Sequence, residues 1–313
     1  MTTTRRSVMW PLIVIAVGSI WLLMVAGAFP EAVGDILLRA WPALSIIFGL
    51  DVLLGRRRLH VLRWNVEMSV LGLVATVLLL VAVVWFAYRE QADVLRTDNV
   101  QSFSQSVPET VERVRLDISL ERTAVNVTPA QDDGRQLSAV FTGSRESDVT
   151  IMWNVEGDIG VLTVEELYPN TFPKLEDYGR GVLEVTLPPD VAIERLGLEG
   201  NRGDVTVDLQ PIHIEQIAIS IEGGDLAVSL PAVDVLQGQV RTDDGGIELL
   251  VPEDMALILK VQDGRNPDFR YDTFQYDLLR DGTLKHKSGE PYQYSLDVWI
   301  KNGKPLTITD LNQ

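Results

Sequence analysis

EGGDLAVSLPAVDVLQGQVRTDDGGIELLVP, residues 222–252, holds two Gly-Gly pairs, Gly223-Gly224 and Gly245-Gly246, each beside aspartate and each leading into an alternating apolar run. A glycine-rich turn of this kind cradles a phosphate, coordinates calcium, or simply reverses a chain. The spacing separates these readings. IERLGLEGNRGDVTVDLQPIH (193–213), IEQIAISIEGGDLAVSLPAVD (214–234) and VLQGQVRTDDGGIELLVPEDM (235–255) align without gaps, so the period is 21 residues and Gly203, Gly224 and Gly245 coincide. Three apolar columns follow the glycines: Val205/Leu226/Ile247, Val207/Val228/Leu249 and Leu209/Leu230/Val251.

The other half of each unit also aligns, with Ile193, Ile214 and Val235 in one column and Leu198, Ile219 and Val240 in another, which ALILKV extends to Val261. GVLEVTLPPD, with Gly181, Leu183, Val185 and Leu187, fits as an earlier partial copy, and ISLERTAVNVTP (118–129) is a looser echo. A repeat of about 20 residues cannot bury its own apolar face and must stack on its neighbours. Two period-2 segments around a Gly/Asp turn therefore predict one solenoid rung per repeat, with the Val, Leu and Ile columns inside. Gly238 interrupts the column Leu196, Ile217, Gly238, Leu259, which predicts a dent or a neighbour that fills it. The aromatic-rich last fifty or so residues read as a cap, with Asn302-Gly303 as a hairpin turn.

The other end of the chain is of a different class. Residues 9–29, 36–55 and 68–86 are long apolar stretches, the first and third uncharged and the second carrying Arg39, Pro42 and Asp51. Each is long enough to cross a bilayer, so three transmembrane helices are expected. Arg5 and Arg6 precede the first, and Arg56, Arg57, Arg58 and Arg63 follow the second, against Glu31 and Asp35 in the opposite link. The positive-inside rule then places residues 1–8 in the cytoplasm and everything after the third span outside. Ala26-Gly27-Ala28 offers a competing reading of the first span as a cleaved signal peptide, which leaves the later residues outside all the same. The expected organisation is a membrane region at 9–87, a Ser/Gln-rich juxtamembrane linker at 88–110, and an all-β domain, a single-stranded β-solenoid, at 111–313.

Charge and composition exclude several functions. The net charge is −17, and the 44 acidic residues against 27 basic ones lie mostly beyond residue 87. That argues against a nucleic-acid partner, which needs a basic footprint. With no cysteine there is no disulfide, thiol nucleophile or zinc-thiolate site. The glycine turns lack the Lys-Ser/Thr and following helix of a P-loop, and their period is not the nonapeptide of calcium-binding arrays. They read as turns, with a divalent cation site as the competing reading and Asp243 and Asp244 as its best ligands. His60, His213 and His286 accompany no nucleophile motif, so no enzyme activity, catalytic residue, metal or cofactor is assigned. Arg39 and Asp51 are either helix-pairing residues or charges that reach the interface by snorkelling. Asn126-Val127-Thr128 matches a glycosylation sequon that matters only in a eukaryotic secretory pathway.

Two regions resemble known bacterial envelope proteins. The stretch WPLIVIAVGSIWLLMVAGAF…AWPALSIIFGLDVLLGRRR, with Trp41-Pro42 and Arg56–Arg58, resembles the LiaI/LiaF-like transmembrane region. GDVTVDL, GDLAVSLP and GGIELLVP look like the toast-rack, adhesin-like β domain of LiaF and phage-shock-protein C relatives. The resemblance implies a multi-pass protein of the bacterial cell membrane that regulates an envelope-stress response through a sensor histidine kinase. The alternative expectation is a structural or adhesin-like surface module anchored by the spans. The expected partners are the lipid bilayer, a membrane kinase or a second copy of the chain, and an envelope polymer.

Overall fold

The structure, a computed structural model, describes residues 59–61, 64–66, 85, 89, 94–132, 134–167, 179–232, 236–252, 255–262, 268–287, 294–301 and 303–310. The chain divides into two compact units, Met1–Val94 with Asn170–Tyr178, and Leu95–Pro169 with Gly179–Gln313. In the first, β1 (Leu59–Val61) and β2 (Trp64–Val66) form an antiparallel hairpin within the Arg-rich link. The Arg89 guanidinium lies 5.4 Å from the centre of the Trp85 ring, a cation–π distance. No helix among the described residues is long and apolar enough to cross a membrane. The three expected spans, with Arg39 and Asp51, lie outside the described residues apart from Trp85.

The second unit is all β. In chain order its strands are β3 (Asn99–Ser106), β4 (Arg113–Leu120), β5 (Thr123–Pro129), β6 (Gln136–Gly143), β7 (Asp148–Glu156), β8 (Ile159–Leu167), β9 (Gly181–Leu187), β10 (Ala192–Arg202), β11 (Val205–Asp208) and β12 (Ile214–Gly223). There follow β13 (Leu226–Ser229), β14 (Leu236–Asp244), β15 (Ile247–Val251), β16 (Leu257–Gln262), β17 (Asp268–Arg270), β18 (Tyr276–Leu278), β19 (Thr283–His286), β20 (Tyr294–Ile300) and β21 (Pro305–Asp310). They build a ten-stranded sheet, β18-β19-β16-β20-β14-β12-β10-β4-β8-β7, and a nine-stranded sheet, β17-β21-β15-β13-β11-β5-β9-β6-β3. β3 lies inside the stretch expected as a linker. Its polar Ser/Gln alternation pairs antiparallel with β6 as the last strand of the nine-stranded sheet.

Each rung contributes one strand to each sheet, and the 21-residue period appears directly as register. Leu198 pairs with Ile219 and Ile219 with Val240 in one sheet, while Val205 pairs with Leu226 and Leu226 with Ile247 in the other. These side chains are buried between the sheets, at 2 % exposure or less. Each such burial contributes roughly 1.5–3 kcal/mol relative to exposure, and Leu209, Ile212 and Leu230 in the connections between strands add to the same core.

Beyond the three regular repeats, spatial order departs from chain order. The echo at 118–129 is a full rung, β4/β5, and it lies against β10/β11, with Ile118 paired to Leu198 and Val125 to Val205. The partial copy at Gly181–Leu187 is β9, one place further out and paired with β5. At the opposite end β14 pairs with β20, not β16, and β20 then pairs with β16. The column expected to run from Val240 to Val261 therefore has Val298 between them. β21 is inserted in the same way between β15 and β17.

The C-terminal residues thus supply an interior rung as well as a cap. The residues on either side of Asn302-Gly303 enter different sheets, so Gly303, at φ 78°, turns a rung rather than a hairpin. Capping falls to antiparallel strands: β19 and β18 beyond β16, and β7, β6 and β3 at the other end. Gly238 meets its expectation. Its place in the Leu196–Ile217–Gly238 column continues to Leu296, and a Cβ there would stand 2.3 Å from Ile217 Cγ1, so the isoleucine fills the gap.

Candidate functional site

The glycine turns that opened the sequence question are explained by the distance between rungs. Gly203 and Gly224 have φ of 140° and 131°. A Cβ on Gly224 would lie 2.2 Å from the Gly203 carbonyl oxygen, and one on Gly245 would lie 1.8 Å from that of Gly224. Only glycine permits this approach. The neighbouring aspartates satisfy backbone donors on the next rung: Asp225 N–H donates to Asp204 Oδ1 at 3.1 Å, and Gly246 N–H to Asp225 Oδ1 at 2.8 Å. The series ends at Gly246, whose neighbour on the following rung is Pro305, a residue with no N–H to donate.

The two aspartates weighed as cation ligands face separate basic side chains. Asp243 accepts from Arg241 at 3.0 Å, and Asp244 pairs with Lys304 at 2.6 Å. The Lys304 hydrogen bond, reinforced by its charge, holds the Asp244 carboxyl below the usual aspartate value. Among the described residues no group of three or more His, Asp or Glu side chains converges as a metal site would. His213 lies in the turn before β12, where its carbonyl accepts from Ile193 N–H, and His286 packs edge-on against Tyr276 with ring centres 5.0 Å apart. Glu166 is buried at 2 % exposure but is used structurally: it accepts from the Glu121 and Arg122 N–H groups and from Ser147 Oγ.

What the structure adds is a trough on the outer face of the ten-stranded sheet. Three rows of outward side chains cross the strands there. The middle row runs Asp117, Gly197, Ala218, Gln239, Asp297, and its second and third members are too small to fill their share of the surface. One flanking row runs Arg115, Arg195, Gln216, Gln237, Ser295; the other runs Ser119, Glu199, Ser220, Arg241, Trp299. The result is two open lobes of about 500 and 440 Å³ that share Arg195, Ala218 and Gln239. Arg195 lies low over Gly197, with its Nε 3.8 Å from where a Cβ on that residue would be. Arg115 is paired with Glu194 at 3.0 Å and Arg241 with Asp243, so part of the trough's positive charge is already neutralised.

These rows follow the 21-residue period, as Arg195/Gln216/Gln237 and Gly197/Ala218/Gln239 show. The apolar columns are conspicuous in the sequence because they repeat in kind. The outward columns repeat in place but change in chemistry, which hides them. Trp299 lies far outside the period and reaches its row only because β20 inserts beside β14.

No family model matches the chain, and no curated protein matches it. Among solved structures it is similar to a "putative cell adhesion protein" from Clostridium sporogenes, at 13% identity and TM-score 0.56, covering 68% of this chain and 99% of that one. A "putative adhesin" from Bacteroides fragilis aligns over 70% of this chain and 100% of its own, at 10% identity and TM-score 0.30. The likeness to the Clostridium protein is one of fold: the two-sheet, all-β architecture of the second unit is shared with it.

Proposed function

We propose that the chain is a bacterial surface protein whose solenoid serves as an adhesin-like binding module, with the trough on the ten-stranded sheet as its contact surface. The observation that carries this is the trough itself, an open concavity built by five adjacent rungs and lined by both polar and apolar side chains. The description of the Clostridium structure as a "putative cell adhesion protein" supports the same reading. In this proposal residues 9–29, 36–55 and 68–86 anchor the module in the membrane, and the charge pattern of their links puts it outside. The adhesin-like alternative thereby moves ahead of kinase regulation, for which the resemblance to LiaF supplies a setting but no contact residue.

Trough filling tests the proposal. Ala218 points outward from the trough floor, so Ala218→Trp occupies the space without entering the core. The full-length protein in detergent micelles is expected to co-sediment with insoluble bacterial envelope material, and A218W to lose about tenfold or more of that binding. Equal retention of both forms overturns the assignment of the trough.

A further inference from the structure

Resting on that reading, we propose that the trough takes an uncharged, extended polysaccharide laid across the strands, one sugar ring per rung, with Trp299 as a stacking platform. Four features of the trough converge on this ligand.

Its direction comes first. The rows run perpendicular to the strands, so equivalent positions recur at the interstrand spacing of about 4.8 Å. That step is comparable with the advance per ring of an extended β-linked glycan. A peptide strand is matched differently: it binds a sheet by its edge, where backbone N–H and C=O groups are open. β10, β12 and β14 have neighbours on both sides, so their backbone bonds are already used.

Charge comes second. Asp117, Glu199 and Asp297 lie in the rows, and Arg115 and Arg241 are held by carboxylates of the same domain. A polyanion would meet a field of its own sign on a chain of net charge −17.

Hydrogen bonding comes third. Gln216 on β12 and Gln237 and Gln239 on the adjacent β14 set out three planar amides, each offering two N–H donors and a carbonyl acceptor. Sugar hydroxyls both donate and accept and therefore satisfy amide and carboxylate alike. The Arg195 guanidinium adds a flat fork of donors over Gly197.

The aromatic comes last. Trp299 is half-buried in a row whose other members are polar, beside Arg241. A half-exposed indole gives a flat apolar face to the C–H side of a sugar ring, and its N–H remains available to a hydroxyl.

The test uses the full-length protein in detergent micelles, with calorimetric titration of three uncharged hexasaccharides: β-1,4-linked glucose, xylose and N-acetylglucosamine. Oligolysine and polyphosphate are the charged comparators. At least one glycan is expected to bind saturably, more tightly as hexamer than as dimer, and with little response to added salt. Trp299→Ala and Gln239→Ala, both on the outer face, are expected to weaken it about tenfold each while far-ultraviolet circular dichroism stays unchanged. Binding of none of the three glycans, or equal binding by W299A, overturns the glycan assignment. If A218W abolishes envelope retention while oligolysine or polyphosphate, rather than a glycan, competes for it, the ligand class falls and the contact surface stands. If A218W leaves envelope retention intact, the contact surface falls as well.

Discussion

Gly224 combines two constraints that usually occur apart. Its φ of 131° is one that side chains resist, and the carbonyl of Gly203 stands where its Cβ would go. Gly157 has only the first: its φ is 69° and nothing lies within 4 Å of an added Cβ. Gly224→Ala should therefore cost about 3 kcal/mol, from strain and backbone displacement together. Gly157→Ala should cost only about 1 kcal/mol, the ordinary penalty for a left-handed alanine. Urea unfolding of the two variants measures both, and equal losses would contradict the close-approach argument. The position of Gly224 was readable in the sequence because Gly203 and Gly245 stand 21 residues to either side. Its geometric cause was not, since a repeat shows that glycine is needed without showing what it would strike.

At the scale of the element, the inserted rung β20/β21 is joined to its neighbour by charge as well as by its ladder. Lys304, just before β21, pairs with Asp244 at the end of β14. Because that hydrogen bond and charge lower the carboxyl's pKa in the folded state, the pair's contribution is fully present above the ordinary aspartate range. It is lost as pH falls through the lowered value. The pair is exposed, so its share of stability is small and screened by salt. The sharper readout is the titration of Asp244 followed by NMR. Its midpoint should lie below that of ordinary aspartates, and Lys304→Met should return it to them. This rung also marks the limit of sequence reading. Tyr294–Ile300 alternates as plainly as any repeat strand, but alternation specifies a face, not a neighbour. The placement of β20 between β14 and β16 is a long-range choice among similar apolar columns. The same ambiguity hid β4/β5, whose looser match to the repeat belongs to a rung fully stacked on β10/β11.

Across the whole domain, only the stretch from β10 to β15 is laid down in chain order; both ends are interleaved. Length is therefore adjustable in the middle and fixed at the ends. Duplicating residues 214–234 after Asp234 should add one rung, preserve the β-rich circular dichroism spectrum and lengthen the domain by about 4.8 Å in small-angle scattering. A collapsed or aggregated product would show that the interleaved ends do not tolerate a shifted spacing. The interleaving also bears on time. A chain made from its N-terminus presents β14 and β15 well before β20 and β21 exist. Until the last residues emerge, β14 either keeps an open edge or holds β16 in a place that it must later surrender. Open edges recruit foreign strands, so the hazard to this protein belongs to the interval of synthesis, and its folded form carries none of it at that seam.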